Sequence, residues 1–362
     1  MVLDGKVSLC YIDDDLIISD ATRLYNFDIR KNKIEVLSKL PTNPLQKISR
    51  FSTYLRRLFR TDITCAIYFD ERIYIVRKAD LLVYDIKRNT YKNITPKNFK
   101  SPLNITSVKS LSGFDDGVYF GDYSSNFEKK EVSIYKATKS SVEKIFSFPR
   151  NSINHIHKIV QDNYRDCLWI LTGDFGNDTG IYIAKNNFNF IKPIKTGNQD
   201  YRSCVAFPTK EGLLYATDSQ LIQNSIRLLK FKDKKWISEK IHDINGPSIF
   251  GTKSGSNMFF STSVEPTGLF DNNYSLIKLL SHLLTIKRSS VIRKNKSFII
   301  GGNVTNGFKD IYSFEKDLLP FTLFQFGNIK FPSGENFRTT LCFTTVGLKN
   351  GSIKTVTTKN EL

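Results

Sequence analysis

One pattern recurs along this chain and limits what it can become. A short strand is followed by a turn carrying Asp, Asn or Gly, then by a second apolar strand ending on a polar residue. A loop, a third strand and an edge strand complete the unit. It reads as DDDLIISDATRLYNFDIRKNKIEVL over 13–37 and DERIYIVRKADLLVYDIKRNTYKNI over 70–94, and it returns over 115–146, 165–194 and 211–241. Looser copies lie over 257–266 and 296–324. Strands this short and evenly spaced, with no helix alternating between them, predict radial four-stranded blades. The expected fold is all-β: a single β-propeller domain over 1–362, with seven blades and six as the alternative count. A pair of β-sandwiches is the rival, but it leaves the shared ending of the second strand unexplained.

Two segments break the pattern. In 43–60, Leu45, Ile48, Phe51, Leu55, Leu58 and Phe59 fall on one helical stripe, with Lys47, Arg50, Arg56, Arg57 and Arg60 around it. A second basic, leucine-rich helix is expected near 274–290. Both read either as insertions packed on the propeller or as amphipathic helices lying on an anionic membrane surface.

The net charge of +18 points to anionic partners. The basic residues are spread thinly and no nucleic-acid-binding signature accompanies them, so nucleic acid is not an expected partner. The five cysteines, Cys10, Cys65, Cys167, Cys204 and Cys342, are odd in number and widely spaced. That suits buried, reduced thiols better than a disulfide framework. Asp4 and Asp13–Asp15 interrupt what a secretory leader would keep apolar, and no stretch approaches the ~20 apolar residues of a membrane span. The expected location is cytoplasmic, with peripheral attachment to the inner face of the membrane as an extension.

The second strands of the repeats end on Asp20, Asp122, Asp174, Asp218, Glu265 and Asn303. A propeller would bring these ends to one rim. A lone aspartate there is ordinarily a turn-former, but a ring of carboxylates on a basic protein suggests a site. His155 and His157 lie two apart in NSINHIHKIVQD and share a strand face, with Asn154, Ile156 and Lys158 on the other. Tyr201 and Arg202 hold the equivalent place one repeat later, and Asp218 and Asn224 follow in YATDSQLIQNS. The histidine pair has three readings: bonded structurally to its neighbours, part of a ligand site without metal, or ligands of a divalent metal.

At NHIHKIVQDNYRDCLWILTGD, GIYIAKNNFNF, YRSCVAF, YATDSQLIQN, STSVEP and FQFGNIKFPSGEN, the chain resembles sialidase-like, BNR-type β-propellers associated with microbial surface-polysaccharide production. The resemblance covers roughly 150–340. It lacks the Arg-Ile-Pro opening, and its nearest Asp-box, IAKNNFNF, has Lys185 where the aspartate belongs. What the resemblance implies is therefore the fold and a glycan-related role, with His155, His157, Asp174, Arg202, Asp218 and Glu265 in one pocket.

The expectation is a carbohydrate-active enzyme, glycoside hydrolase-like or glycosyl-transferring, acting on an acidic or surface-polysaccharide substrate, either a glycan or a lipid-linked saccharide. Asp174 or Glu265 serves as acid/base, with Asp218 as the partnering carboxylate. Arg202 clamps an anionic substituent. His155 and His157 orient a hydroxyl or leaving group, and Tyr201, Asn224 and Asp122 complete the substrate site. No cofactor is expected. The alternatives are a non-catalytic glycan- or protein-binding scaffold in a glycan-assembly complex, and a metal-assisted polysaccharide lyase with Mn²⁺ or Zn²⁺ on His155 and His157.

Overall fold

The computed structural model describes residues 1–267, 276–335, 340–349 and 351–359. Its strands form seven antiparallel sheets of four. Six of them follow one another along the chain. In order, their strands are Val7–Ile12, Asp15–Ser19, Arg23–Asp28 and Lys33–Lys39; Cys65–Phe69, Arg72–Val76, Leu81–Asp85 and Thr90–Asn93; and Thr106–Val108, Gly117–Gly121, Val132–Ala137 and Val142–Phe148. Next come His155–Asp162, Cys167–Gly173, Gly180–Lys185 and Phe190–Thr196; Ser203–Pro208, Leu213–Thr217, Ser225–Lys232 and Lys235–Asp243; and Ser248–Ser254, Asn257–Thr262, Lys296–Asn303 and Gly307–Glu315. The seventh joins both ends of the chain: Asn328–Lys330, Thr340–Leu348 and Gly351–Lys359 take Val2–Asp4 as their edge, in the register Val2↔Val356. This is a seven-bladed β-propeller.

The blade assignment corrects the repeat reading at one place. The copies over 257–266 and 296–324 are not two blades, because Asn257–Thr262 and Lys296–Asn303 pair within a single sheet. A long insertion separates those neighbouring strands. Asn303 therefore ends a third strand, and its Oδ1 accepts from Thr305 and Asn306 N–H in a turn.

The chain divides into two compact units. The first is Met1–Asp62, Asp218–Ser225 and Ile241–Leu362; the second is Ile63–Thr217 and Ile226–Lys240. In the second unit, Asp70-Glu71 and Asp233-Lys234 take positive φ at both positions, which gives two-residue hairpins the right-handed twist of their strands. Neighbouring sheets there bury aliphatic and aromatic side chains against each other. Ile134, Ile156, Ile170 and Phe188 belong to one such layer, and Trp169, Leu171, Tyr215 and Leu229 to the next. Trp169 is fully buried and donates its indole N–H to Asp162 at 2.8 Å, satisfying the one polar atom it carries inside. In the first unit, Phe259, Ile299, Ile329, Leu341 and Phe343 form the corresponding layer. Cys10, Cys167, Cys204 and Cys342 are buried, Cys65 is half-buried, and no two of the five are joined in a disulfide.

Helices occupy the expected insertions. Pro44–Ser49 (α1) starts on a capping box between Asn43 and Gln46, and Thr53–Phe59 (α2) is capped by Ser52. Leu276–Leu283 (α3) lies within the second expected segment, of which 274–275 fall outside the described residues. A short turn of helix, Phe321–Phe324 (α4), packs against both α2 and α3.

The faces of α1 and α2 are the reverse of the usual arrangement. Gln46, Ser49, Arg56 and Arg57 point inward. Ser49 Oγ meets Thr61 Oγ1 at 2.8 Å, Arg56 donates through Nε to Asp62 at 2.8 Å, and Arg57 donates to Asp317 and to the Phe324 carbonyl, each at 2.6 Å. Ile48, Phe51 and Tyr54 are left exposed over 59%, 78% and 55% of their surface.

A candidate site of two histidines, an aspartate and an arginine

Four of the expected site residues meet in the second unit. His155 opens the inner strand of its blade and pairs with Gly173, the last residue of the next strand. The register shifts between Ile156 and Lys158, and this bulge turns His157 so that its Nε2 lies 3.0 Å from His155 Nε2. Asp174 follows Gly173, and its Oδ1 lies 3.3 Å from His155 Nε2 and 3.4 Å from His157 Nε2. Arg202, just before the inner strand of the following blade, reaches the same oxygen through Nη2 at 3.1 Å.

A surrounding layer fixes these groups. His155 Nδ1 faces the Ser124 carbonyl at 3.2 Å and His157 Nδ1 faces the Ser203 carbonyl at 2.9 Å. Asn154 donates to Asp174 Oδ2 at 3.1 Å, and Gln199 donates to the Asp174 carbonyl at 2.9 Å. The Tyr123 ring stands edge-on to His155, and the Arg202 guanidinium lies over Phe175. Gly173 is required by contact: a Cβ there would fall 2.2 Å from His157 Cε1. Asn154, expected on the opposite strand face from the histidines, instead joins them, because it precedes the strand and its side chain is not bound by strand alternation. Asn154 and Gln199 are the functional neighbours that strand alternation hides.

Burial works against ionisation of Asp174, but hydrogen bonds from the two imidazoles when protonated at Nε2, together with the Arg202 cation, more than offset that and hold its carboxyl well below the usual range. Burial also disfavours the charged form of His155, which Asp174 only partly restores. A carboxylate so held is an anion at any physiological pH. It can coordinate, accept hydrogen bonds or stabilise charge, but it is poorly suited to protonating a leaving group.

The remaining expected site residues have partners of their own. Asp122 is buried in the second unit, accepts from Ser133 N–H at 3.0 Å and pairs with Lys100, as a strand-ending turn residue does. Tyr201 is half-buried beside Lys195, whose ammonium lies 5.8 Å from the ring centre. Asp218, Asn224 and Glu265 belong to the first unit. Asn224 braces a tight loop, accepting from Ser219 N–H at 2.7 Å and donating to the Ser219 carbonyl at 2.8 Å. Glu265 is buried, and its carbonyl accepts from Ser289 N–H.

A second feature of this unit escaped the sequence reading. An open groove of about 550 Å³ runs between the outer strands Phe190–Thr196 and Lys235–Asp243. Lys192, Lys195, Tyr201, Lys235 and Trp236 line it, with no carboxylate among the lining residues. An aromatic on an outer strand, where burial does not demand one, was the available signal.

No protein-family model matches the chain, and no curated protein sequence matches it. Solved structures share its fold. The AfRom2 CNH domain superposes with a TM-score of 0.53 at 7% identity, covering 98% of this chain and 94% of that one. A chain of the mitotic checkpoint complex gives 0.52 at 9% identity, covering 98% and 93%. The tricorn protease gives 0.52 at 8% identity, and there the match covers 98% of this chain but only 35% of the protease. These likenesses show the β-propeller fold alone. None of the three is described as acting on a glycan, so the sialidase resemblance is carried no further than the fold.

Proposed function

We propose that this protein is a peripheral membrane propeller that docks on an anionic lipid surface through the helical face of its first unit. The observation that carries this reading is the reversed amphipathicity of α1 and α2: polar and cationic side chains are spent inside while Ile48, Phe51, Tyr54 and Phe59 face outward. α4 packs against both α2 and α3, and on and just after α3 Leu279, Leu280, Leu284 and Ile286 are exposed. Lys47, Arg50, Arg60, Lys287 and Arg288 lie in the same two stretches, and neither 43–60 nor 276–294 contains an aspartate or glutamate. Exposed apolar side chains grouped on helical insertions mark an interaction site, and the lack of acidic residues in these two stretches favours an anionic bilayer over a protein surface of mixed charge. Each cation near such a surface contributes about 1 kcal/mol. Among the described residues no helix is long and apolar enough to cross a membrane, so the attachment lies in the interface.

Vesicle flotation tests this. The protein should float with vesicles containing phosphatidylserine, less with pure phosphatidylcholine, and less again as salt is raised. Absence of flotation with anionic vesicles at low salt, or burial of this same face in a dimer in solution, removes the reading.

A second reading, binding of an acidic saccharide, rests on the groove of Lys192, Lys195, Lys235, Tyr201 and Trp236. Aromatic faces stack on sugar rings and the ammonium groups meet carboxylates. Binding rather than cleavage is the form of this reading, because no carboxylic acid lines the groove to supply the proton that glycosyl departure needs. Of the two tryptophans, Trp169 is buried and Trp236 lines the groove. A change in tryptophan emission on titration with oligouronate, absent with neutral oligosaccharide and in Trp236→Phe, supports the reading; an unchanged spectrum in the wild-type protein overturns it.

A further inference from the structure

The Nδ1 contacts of the two histidines settle which ring nitrogens carry protons. A backbone carbonyl can only accept, so His155 Nδ1 donates to Ser124 and His157 Nδ1 donates to Ser203. Each neutral imidazole then presents a bare lone pair at Nε2. Those lone pairs point at each other across 3.0 Å, and the Asp174 Oδ1 lone pairs complete a triangle at 3.3 and 3.4 Å. Three electron-pair donors converge with no hydrogen between them. Such a cluster is stable only around a cation, either a third proton shared among the three or a metal ion.

From this triangle we infer that His155, His157 and Asp174 form a binding site for one divalent metal ion of the zinc class. The dimensions are those of such a site. Ligand bonds of about 2.0–2.1 Å in tetrahedral geometry set neighbouring donor atoms about 3.3–3.4 Å apart, and two of the three sides have that length. The donor set of two imidazoles and one carboxylate suits Zn²⁺ and its first-row neighbours rather than Ca²⁺ or Mg²⁺, which take all-oxygen shells. The surrounding layer has the character of a metal site as well. Both non-ligating ring nitrogens are tied to carbonyls, and the second carboxylate oxygen is held by Asn154.

Three protein ligands leave a fourth position free. Asp174 retains 21% of its side-chain surface while the two rings retain 6% and 1%, so the free position is reached from the carboxylate side. The Arg202 guanidinium 3.1 Å from Oδ1 already balances the charge of Asp174. A bound dication therefore leaves excess positive charge, and the fourth ligand it calls for is an anionic oxygen: hydroxide, a carboxylate or a phosphate. This site is independent of the docking face and of the lysine-lined groove.

The test is a titration of chelator-treated, full-length protein with Co²⁺ followed by Zn²⁺, read by visible absorption and by isothermal calorimetry. One equivalent of Co²⁺ should bind with the intense visible bands of a tetrahedral N/O site, and Zn²⁺ should displace it. Asp174→Asn and His155→Asn, each shown to be folded by far-UV circular dichroism and a cooperative melt, should lower affinity at least tenfold. The protein has four histidines in all, so His242→Asn with His282→Asn is the control and should leave binding unchanged. Absence of stoichiometric uptake by folded wild-type protein at neutral pH, or uptake equally strong in both folded site variants, overturns the inference and assigns the cluster to a shared proton.

Discussion

Arg57 Nη1 lies 2.6 Å from Asp317 Oδ2, and the arginine side chain has no exposed surface at all. The pair joins α2 to the segment that leads into α4, and the same guanidinium donates through Nε to the Phe324 carbonyl. Removing one member of a buried pair strands the other, at a cost of about 3–5 kcal/mol. Arg57→Met should therefore lower unfolding stability by about 3 kcal/mol in urea melts. Arg57→Met with Asp317→Asn should recover part of that loss, although Lys316, which also bonds the Asp317 carboxylate, will then keep only the Asp317 and Leu319 carbonyls as partners. A loss below 1 kcal/mol in the single variant shows that the pair does not anchor the helical face.

The outward apolar side of the α1–α2 segment makes a separate prediction. Phe51→Ser removes the most exposed aromatic of this face, and the Arg50 guanidinium sits 4.7 Å from the Phe51 ring centre. Because neither residue supports the core, stability should change by less than about 0.5 kcal/mol. Binding to anionic vesicles should fall roughly tenfold for Phe51→Ser. For Arg50→Ala it should fall roughly fivefold at low salt and less at high salt. Vesicle co-sedimentation across a salt series measures both. Equal binding by the two variants and the wild-type protein would place the contact elsewhere.

What the sequence disclosed follows from the range of the forces involved. Strand alternation and turn residues are local, so blades such as 165–194 can be read directly. Closure is not local: Val2–Asp4 pairs with Gly351–Lys359 across the length of the chain, and no short pattern announces it. The insertion between Asn257–Thr262 and Lys296–Asn303 hides a shared sheet for the same reason. The helical stripe of Leu45, Ile48 and Phe51 was legible as a period but not as a direction. An apolar stripe is ordinarily turned inward, and only Asp62, Thr61 and Asp317 reveal that Arg56, Ser49 and Arg57 take the interior. At the site, H-x-H and Asp174 could be read from side-chain type. The carbonyls of Ser124 and Ser203 could not, since every residue has one.

Asp20 makes stability depend on acid pH. Burial raises its carboxyl, but hydrogen bonds from Tyr25 and Lys6 and the backbone N–H of Thr22 outweigh this and bring it down to about 2 from an ordinary 3.8. The folded state therefore holds its charged form more tightly than the unfolded chain does. That contribution is complete above the unfolded value and is lost as pH falls from about 4 through about 2. Solvent screening at this partly exposed side chain keeps it to about 1 kcal/mol. Asp20→Asn should lower stability by about that much at pH 6 and flatten the slope of unfolding free energy between pH 4 and 2. An unchanged slope shows that other carboxylates carry the acid limb.

Gly173 separates the histidine site from the general stability of its blade. Its ideal Cβ position lies 2.2 Å from His157 Cε1 and 2.4 Å from Nε2, far inside contact distance, so any side chain there drives the imidazole out of place. The ring has little room to retreat, with the Ser203 carbonyl holding Nδ1 at 2.9 Å and His155 at 3.0 Å on the other side. Gly173→Ala should cost about 1–3 kcal/mol, the ordinary cost of one methyl too many in a packed interior. The same variant should also lose Co²⁺ uptake, because the displaced Nε2 no longer faces Asp174. His157→Ala in the Gly173→Ala background tests the cause: with the ring gone the methyl has space, and the double variant should be more stable than Gly173→Ala alone while still failing to bind metal. A double variant no more stable than the single one would trace the defect to the backbone rather than to the imidazole.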